Sequence, residues 1–161
     1  MMRWAHIRPS ALVLAELAAP LSGAPGEMAM DEARMKGFAT RYTAAWCGKD
    51  PERVASFFAE NGSLKINDGE PSVGRAAIAE AARGFMNAFP DMVVSMDSLE
   101  SRGSAWRYRW TLTGTNTGPG GTGRRVRIGG YEEWTIGADG LIARSLGHFD
   151  EAEYRRQLSG D

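Results

Sequence analysis

The first part of the chain after residue 30 carries hydrophobic positions with a helical period. They fall three, four, seven, ten and eleven residues after the first, a spacing that forms one continuous stripe. The stripe consists of Met35, Phe38, Ala39, Tyr42, Ala45 and Trp46. Asp31 precedes it, and its carboxylate can accept a hydrogen bond from the first turn. The pattern therefore predicts a helix that begins at Asp31.

A second, short helix follows at residue 50. Asp50 and Pro51 supply a cap and a first-turn proline, a combination that is typical of helix starts. This helix is predicted to bury Val54, Phe57 and Phe58. Asn61–Gly62 then predicts a turn, residues 63–67 a short strand, and residues 68–73 a polar loop.

Residues 74–89 form a third helical pattern, which Pro90 and Asp91 end. Its hydrophobic stripe consists of Ile78, Ala81, Ala82, Phe85, Met86 and Phe89. Gly84 lies in the middle of this helix, where glycine costs about 1 kcal/mol relative to alanine.

The hydrophobic period changes from 3.6 to 2 after residue 91. Four strands are predicted in succession, separated by turn-forming residues, at 92–100, 105–115, 126–136 and 142–150. In the second of them aromatic and polar residues alternate cleanly, which indicates an antiparallel sheet with one apolar and one solvated face. A short helix closes the chain. The pattern predicts an α+β fold, a curved antiparallel sheet with three N-terminal helices over its concave face.

Composition narrows the functional classes. The chain has 161 residues and a formal charge of −1, which argues against a dedicated nucleic-acid-binding protein. Its single cysteine, Cys47, and two histidines, His6 and His148, exclude an intrachain disulfide and the common zinc sites. No nucleotide-binding or metalloprotease motif is present. We therefore expect no cofactor, no metal, no nucleic acid and no membrane partner.

Residues 1–30 differ from the rest, and residues 31–161 are predicted to form a single domain. Arg3 and Arg8 precede the apolar run Ala11–Leu17 and a small-residue stretch, which is the outline of a secretory signal. Glu16 interrupts that run, and the run is shorter than the roughly 20 residues a membrane span needs. A disordered leader, or a start at Met28 or Met30, is the favoured interpretation. The expected location is cytoplasmic, with an exported form if residues 1–24 are a signal peptide.

Aromatic residues are numerous on the faces that should meet inside the fold. Each is predicted to serve as core or as the wall of an apolar ligand pocket: Trp106, Tyr108, Trp110, Trp134, Phe58, Phe85 and Met86. Tyr108 stands out because a buried phenol requires a partner and can donate to an oxyanion.

Glu132 is the most informative ionisable residue. By strand alternation it shares a face with four apolar residues, Val126, Ile128, Trp134 and Ile136. Burial there would raise its pKa and suit it to general acid or base catalysis. The alternative is a bulge at Gly129–Gly130 that turns Glu132 outward.

Several motifs of the chain resemble the SnoaL-like, or polyketide cyclase-like, family of the NTF2-like superfamily. They are Gly74-Arg75-x-x-Ile78, Phe85-x-x-Ala88-Phe89-Pro90-Asp91, Asp139-Gly140-Leu141-Ile142, and Asp150 with Gln157-Leu158. The resemblance covers about residues 30–158 and implies a cone-shaped fold with a pocket. It implies a reaction less firmly, because a fold hosts many functions.

His148 and Asp150 are candidate catalytic residues on the last strand. They stand two residues apart, which predicts one face shared with Ile142 and Leu146. The resemblance implies an acid/base role for Asp150, although a helix cap is an equal alternative because Glu151 and Glu153 follow. Many family members carry a further aspartate where this chain has Gly147.

A group of arginines belongs to two adjacent strands and their hairpin: Arg107, Arg109, Arg124, Arg125 and Arg127. Strand alternation separates them from the aromatic residues, so a solvated face or a dimer contact explains them better than nucleic-acid binding. The resemblance implies a homodimer through the sheet.

Two functional hypotheses follow. The first is a cofactor-independent enzyme that performs acid/base chemistry, a cyclisation or an isomerisation, on a small hydrophobic carbonyl compound. Glu132, His148 and Asp150 would share the proton transfers, and Tyr108 or a tryptophan indole would donate to the enolate. The alternative is a non-catalytic module that binds a small molecule in the same pocket, which Gly147 favours.

Overall fold

The computed structural model describes residues 25–161, with side chains from residue 31 onward. The predicted leader up to residue 24 lies outside the described residues. Helices and strands follow one another in the order α1 (Pro25–Cys47), α2 (Pro51–Ser56), β1 (Phe58–Ile66), β2 (Ser72–Val73), α3 (Arg75–Ala88), β3 (Val93–Arg102), β4 (Ala105–Thr115), β5 (Arg125–Ile136), β6 (Ile142–Phe149) and α4 (Glu151–Ser159).

The helices lie close to where the sequence predicts them. The stripe of α1 is buried as expected, with Ala39 and Tyr42 fully inaccessible. The predicted start at Asp31 is wrong, because α1 begins at Pro25. Proline is favourable in the first turn of a helix, where a backbone N–H has no partner within the helix. Asp50 caps α2 as predicted, and its carboxylate accepts a hydrogen bond of 3.0 Å from the Arg53 N–H.

Strand β1 is longer than the sequence predicts. It begins at Phe58, which was expected in the second helix, and runs through Asn61–Gly62, which was expected to be a turn. The pairing with β6 is irregular between Phe58 and Ser63. A side chain at position 62 would come within 2.8 Å of the Ile142 carbonyl oxygen. Glycine at this position therefore allows β1 and β6 to approach each other closely.

The six strands of the described chain form one curved sheet in the order β2-β1-β6-β5-β4-β3. Strands β3 to β6 make the predicted antiparallel meander. Among the strands of residues 25–161, only the β1–β6 pair is parallel. Helices α1 and α3 cover the concave face, and the core between them includes Tyr42, Phe58, Ile78, Phe89 and Trp134. The predicted α+β fold is confirmed.

A bulge in β6 determines which of its side chains face the concave side. Thr135 pairs with Arg144, whereas Ile136 pairs with Ile142, so Ala143 is an extra residue on β6. Alternation is reversed beyond it. Ser145 and Gly147 are buried on the concave side, and His148 is exposed.

Helix α4 closes one end of the cone with no fully buried residue. Gln157 holds it to β5: its side chain accepts from the Arg127 N–H at 2.7 Å and donates to the Arg127 carbonyl at 2.9 Å. Tyr154 packs against Phe149, with 5.5 Å between ring centroids. Among the helices of residues 25–161, none is long and apolar enough to cross a membrane.

We predict that Gly84→Ala stabilises the fold. A Cβ at position 84 meets nothing within 4 Å, so the substitution removes the helix penalty of glycine, about 1 kcal/mol. Urea unfolding monitored by circular dichroism measures the change.

Gly118→Ala is the matched opposite case, because its Cβ would overlap the Asn87 carbonyl oxygen. It should lower the free energy of unfolding. A Gly84→Ala variant less stable than the wild type would contradict the description of α3.

Candidate active site

An apolar cavity lies between the concave face of the sheet and helices α1, α3 and α4. It leaves about 70 Å³ in which the centre of a water-sized molecule can move, which is room for several waters or a small organic molecule. Its walls are mostly apolar, and include Trp46, Leu64, Phe85, Phe89, Leu112 and Ile128. A molecule that fills it must therefore be largely apolar.

Among the described residues that line this cavity, Glu132 is the one with a carboxylate. It is 7% exposed. The pairing of β4 with β5 runs without interruption from Ala105–Thr135 to Thr115–Arg125. The alternative of a bulge at Gly129–Gly130 is therefore wrong, and Glu132 faces inward as strand alternation predicts.

Three side chains from three elements hold the Glu132 carboxylate. The Trp134 indole N–H and the Ser145 hydroxyl each donate to Oε2 at 2.7 Å. The Tyr42 hydroxyl lies 3.2 Å from both oxygens. Oε1 has only the shared bond with Tyr42 among the described residues, so it retains capacity to accept a further proton.

Two opposing effects set the proton affinity of Glu132. Burial raises the pKa of its carboxyl, and the hydrogen bonds from Trp134, Ser145 and Tyr42 lower it. Burial dominates, so the pKa lies above the ordinary value of 4.5. A buried carboxyl of this kind is suited to exchange protons nearer neutrality.

Tyr108 cannot act as a donor toward the cavity in this arrangement. Thr43 uses its one hydroxyl proton on the Ala39 carbonyl, at 2.8 Å. The 2.7 Å bond between the Thr43 and Tyr108 hydroxyls must then carry the Tyr108 proton. Burial also raises the pKa of Tyr108, so the phenol keeps that proton.

The predicted pocket wall is divided between the cavity and the core. Phe85, Tyr108 and Trp110 line the cavity. Phe58, Met86 and Trp134 are packed in the core instead, and Trp134 acts through its bond to Glu132. Trp106 lies in a separate groove beside Phe38 and Ile136. Strand alternation gives the face of each residue but not its distance from the cavity.

The predicted face of His148 and Asp150 is wrong, and the β6 bulge is the reason. The His148 side chain is exposed on the outer face, where its ring lies 4.9 Å from the Tyr131 ring, although the residue borders the end of the cavity. Asp150 caps α4, accepting a 2.9 Å hydrogen bond from the Glu153 N–H. The structure does not bring either side chain to Glu132.

Gly147 occupies the concave position that was predicted for its neighbour. A Cβ there would lie 3.8 Å from Cγ of Glu132 and 3.4 Å from the Lys65 carbonyl oxygen, both ordinary contacts. The position at which the family resemblance implies an aspartate is therefore next to Glu132 and has room for a Cβ atom.

Tyr42 and Ser145 hold the Glu132 carboxylate, and the sequence did not indicate either of them as part of the site. Tyr42 was placed on the α1 stripe, but only the packing of α1 over β5 shows that its hydroxyl meets Glu132. Ser145 was hidden by the bulge. The sequence did hold one chemical indication of such residues. A buried carboxylate requires hydrogen-bond donors from neighbouring elements.

The family model for SnoaL-like polyketide cyclase matches residues 36–158. The chain belongs to the SnoaL-like polyketide cyclase family. No curated protein sequence matches it significantly.

Solved structures share its fold. A protein assigned to the SnoaL-like polyketide cyclases, from Jannaschia sp. CCS1, superposes with a TM-score of 0.71 at 16% identity, over 80% of this chain and 94% of that one. TsrD from Streptomyces laurentii gives 0.70 at 24% identity, over 81% and 98%. A protein with a ketosteroid isomerase-like fold from Catenulispora acidiphila DSM 44928, solved in complex with trimethylamine, gives a TM-score of 0.67 at 15% identity, over 76% of this chain and 92% of that one.

We predict that Asp150→Ala costs about 1 kcal/mol of stability, the usual cost of removing a helix N-cap. Asp150→Asn should restore it, because asparagine caps equally well but cannot exchange a proton near neutrality. Thermal or urea unfolding of both variants measures this. Equal destabilisation by alanine and asparagine would show that Asp150 acts through its charge rather than as a cap.

Proposed function

We propose that the protein is a cofactor-independent enzyme that removes and returns a proton next to a carbonyl group of a small, hydrophobic compound, in a cyclisation or an isomerisation. The observation that carries this proposal is the Glu132 carboxylate, buried in an apolar cavity and held by Tyr42, Trp134 and Ser145. The family and its fold are consistent with such chemistry.

Glu132 acts as the base in this proposal. Its Oε1 takes the proton from the carbon α to the carbonyl, the C–H electron pair moves into the new C=C bond, and the carbonyl oxygen becomes an enolate oxygen. The protonated carboxyl then returns the proton to carbon. In a cyclisation, the enolate carbon forms the new C–C bond with a second carbonyl, and the resulting alkoxide takes the proton instead.

Trp134, Ser145 and Tyr42 are positioning residues for this step. Each contributes one hydrogen bond to the ionised carboxylate, and such charge-assisted bonds are the stronger kind. They hold the carboxylate in a fixed geometry, which is needed for efficient proton transfer.

A non-catalytic ligand-binding module is the second candidate. The observation that favours it is that Glu132 already accepts bonds from three side chains, so its carboxylate is satisfied without a substrate. Gly147 favours it as well, because the position beside Glu132 carries no second acid. Both candidate functions use the same cavity and the same class of small, hydrophobic ligand.

We predict that the protein accelerates exchange of the α-protons of a bicyclic ketone, 2-tetralone, in deuterated buffer, and that Glu132→Gln abolishes the acceleration. General base catalysis contributes about 10²- to 10⁴-fold. Proton NMR follows the loss of the α-proton signal. The enzymatic rate should fall as pH drops through the raised pKa of Glu132, because only the ionised carboxylate accepts a proton.

Glu133→Gln is the matched control. Glu133 is the next residue in the chain, but it pairs with Arg107 and has 34% of its side chain exposed. It should leave the exchange rate unchanged. Glu132→Asp keeps a carboxylate if the glutamine variant folds poorly. Exchange that is equal in wild type and in folded Glu132→Gln would exclude Glu132 as the base, and a wild type that does not accelerate exchange would favour the binding module.

The outer face of the sheet supports a second element of the proposal, a homodimer through β4, β5 and β6. Oppositely charged pairs stand side by side there, Arg107 with Glu133 and Arg109 with Glu100. Between them lies Tyr131, with the Arg107 guanidinium 4.5 Å above its ring. A surface with both charges next to an aromatic residue can be complementary to a second copy of itself.

Sedimentation analysis tests the dimer. We expect the wild type to sediment with twice the chain mass of 17.5 kDa. Tyr131→Arg should shift it toward the monomer, because it places a further positive charge next to Arg107 and Arg109 at the contact. Glu80→Arg, on the exposed side of α3, should leave the dimer intact. A monomeric wild type would refute this part of the proposal.

A further inference from the structure

One buried polar atom, in a residue that lines the cavity, has no acceptor among the described residues. It is the indole nitrogen of Trp110, whose N–H is shielded from solvent and makes no hydrogen bond to residues 31–161. Trp110 lines the cavity. A buried donor left without an acceptor is costly, so such an atom points to an acceptor that enters the cavity.

The position of this indole is fixed by the strand beside it. Trp110 pairs with Gly130 across the β4–β5 ladder. A Cβ at position 130 would lie 2.5 Å from Cζ2 of Trp110, so the glycine provides the space that the indole occupies. Phe149 packs against it with 6.3 Å between ring centroids.

Four other donors near the cavity are already used. The Tyr108 proton is engaged by Thr43, and Tyr42, Trp134 and Ser145 donate to Glu132. Trp46, Tyr154 and His148 also line the cavity, but within the described part of the chain Trp110 is the residue whose donor is both shielded from solvent and without an acceptor.

Charge further restricts the ligand. Of the described residues that line the cavity, none is lysine or arginine, and Glu132 is an acid. An anionic ligand would be desolvated beside a carboxylate with no cation to pair with it, which is strongly unfavourable. The cavity is matched to an uncharged molecule.

We propose that the N–H of Trp110 binds an acceptor oxygen, such as a ketone, of an uncharged and otherwise apolar ligand, and so orients that ligand against Glu132. This inference rests on the proposed function for the role of Glu132, but binding alone tests it. Trp110 is the specificity-determining donor, because its N–H favours ligands that carry the acceptor oxygen over ligands that lack it.

Three probes of the same bicyclic skeleton test the proposal: 2-tetralone, tetralin, which lacks the oxygen, and tetralin-2-carboxylate, which is anionic. In wild-type protein labelled with ¹⁵N, 2-tetralone should shift the assigned Trp110 indole N–H resonance downfield, and tetralin should not. Trp110→Phe should weaken 2-tetralone binding about 2- to 12-fold, the range for one neutral hydrogen bond. The affinity for tetralin should change by a smaller factor.

Trp106→Phe is the matched control, because Trp106 lies in a different groove, and it should leave the binding of all three probes unchanged. Equal losses for 2-tetralone and tetralin would show that Trp110 contributes only contact area. Carboxylate binding as tight as ketone binding would overturn the charge argument. The wild-type resonance carries the test if Trp110→Phe does not fold.

The outcomes also separate this inference from the proposed function. Binding of 2-tetralone that depends on Trp110, without any α-proton exchange, supports the inference and removes the enzyme. Exchange that depends on Glu132 but is unchanged in Trp110→Phe supports the enzyme and overturns the inference.

Discussion

A buried carboxylate is tolerated only when neighbouring groups donate to it, and this constraint organises the interior of the protein. Glu132 receives bonds from Tyr42 on α1, Trp134 on β5 and Ser145 on β6. Tyr42 is 90 residues away from Glu132 in the sequence, and its bond to the carboxylate fixes α1 over the sheet. The stability of this region and the reactivity of the carboxylate therefore depend on one network, and a change in one donor alters both.

The sequence predicts the face of a residue correctly where its strand is regular, and wrongly where the strand contains a bulge. β4 and β5 pair without interruption, so alternation placed Tyr108, Trp110 and Glu132 on the concave face correctly. β6 contains one extra residue, Ala143, and no glycine or proline at that point marks the bulge. His148 and Asp150 were consequently predicted on the wrong face. Alternation also could not separate Trp134, in the core, from Trp110, at the cavity, since this depends on how the helices pack.

Two indoles on adjacent strands differ in whether their N–H groups have an acceptor. Trp134 is fully buried and its N–H donates to Glu132, whereas the Trp110 N–H has no acceptor among the described residues. The sequence hypothesis left Tyr108 and the tryptophans as equal candidates for the donor. Counting protons decides between them, because Thr43 can donate only once and its bond to Ala39 commits the Tyr108 proton.

Gly147 leaves a single acid at the cavity where a neighbouring position could hold a second. With two acids, one could withdraw a proton from one side of a flat enolate and the other could protonate its opposite side. With Glu132 alone, departure and return occur on the same side of the molecular plane. Under the proposed chemistry, the product would inherit the handedness of that side.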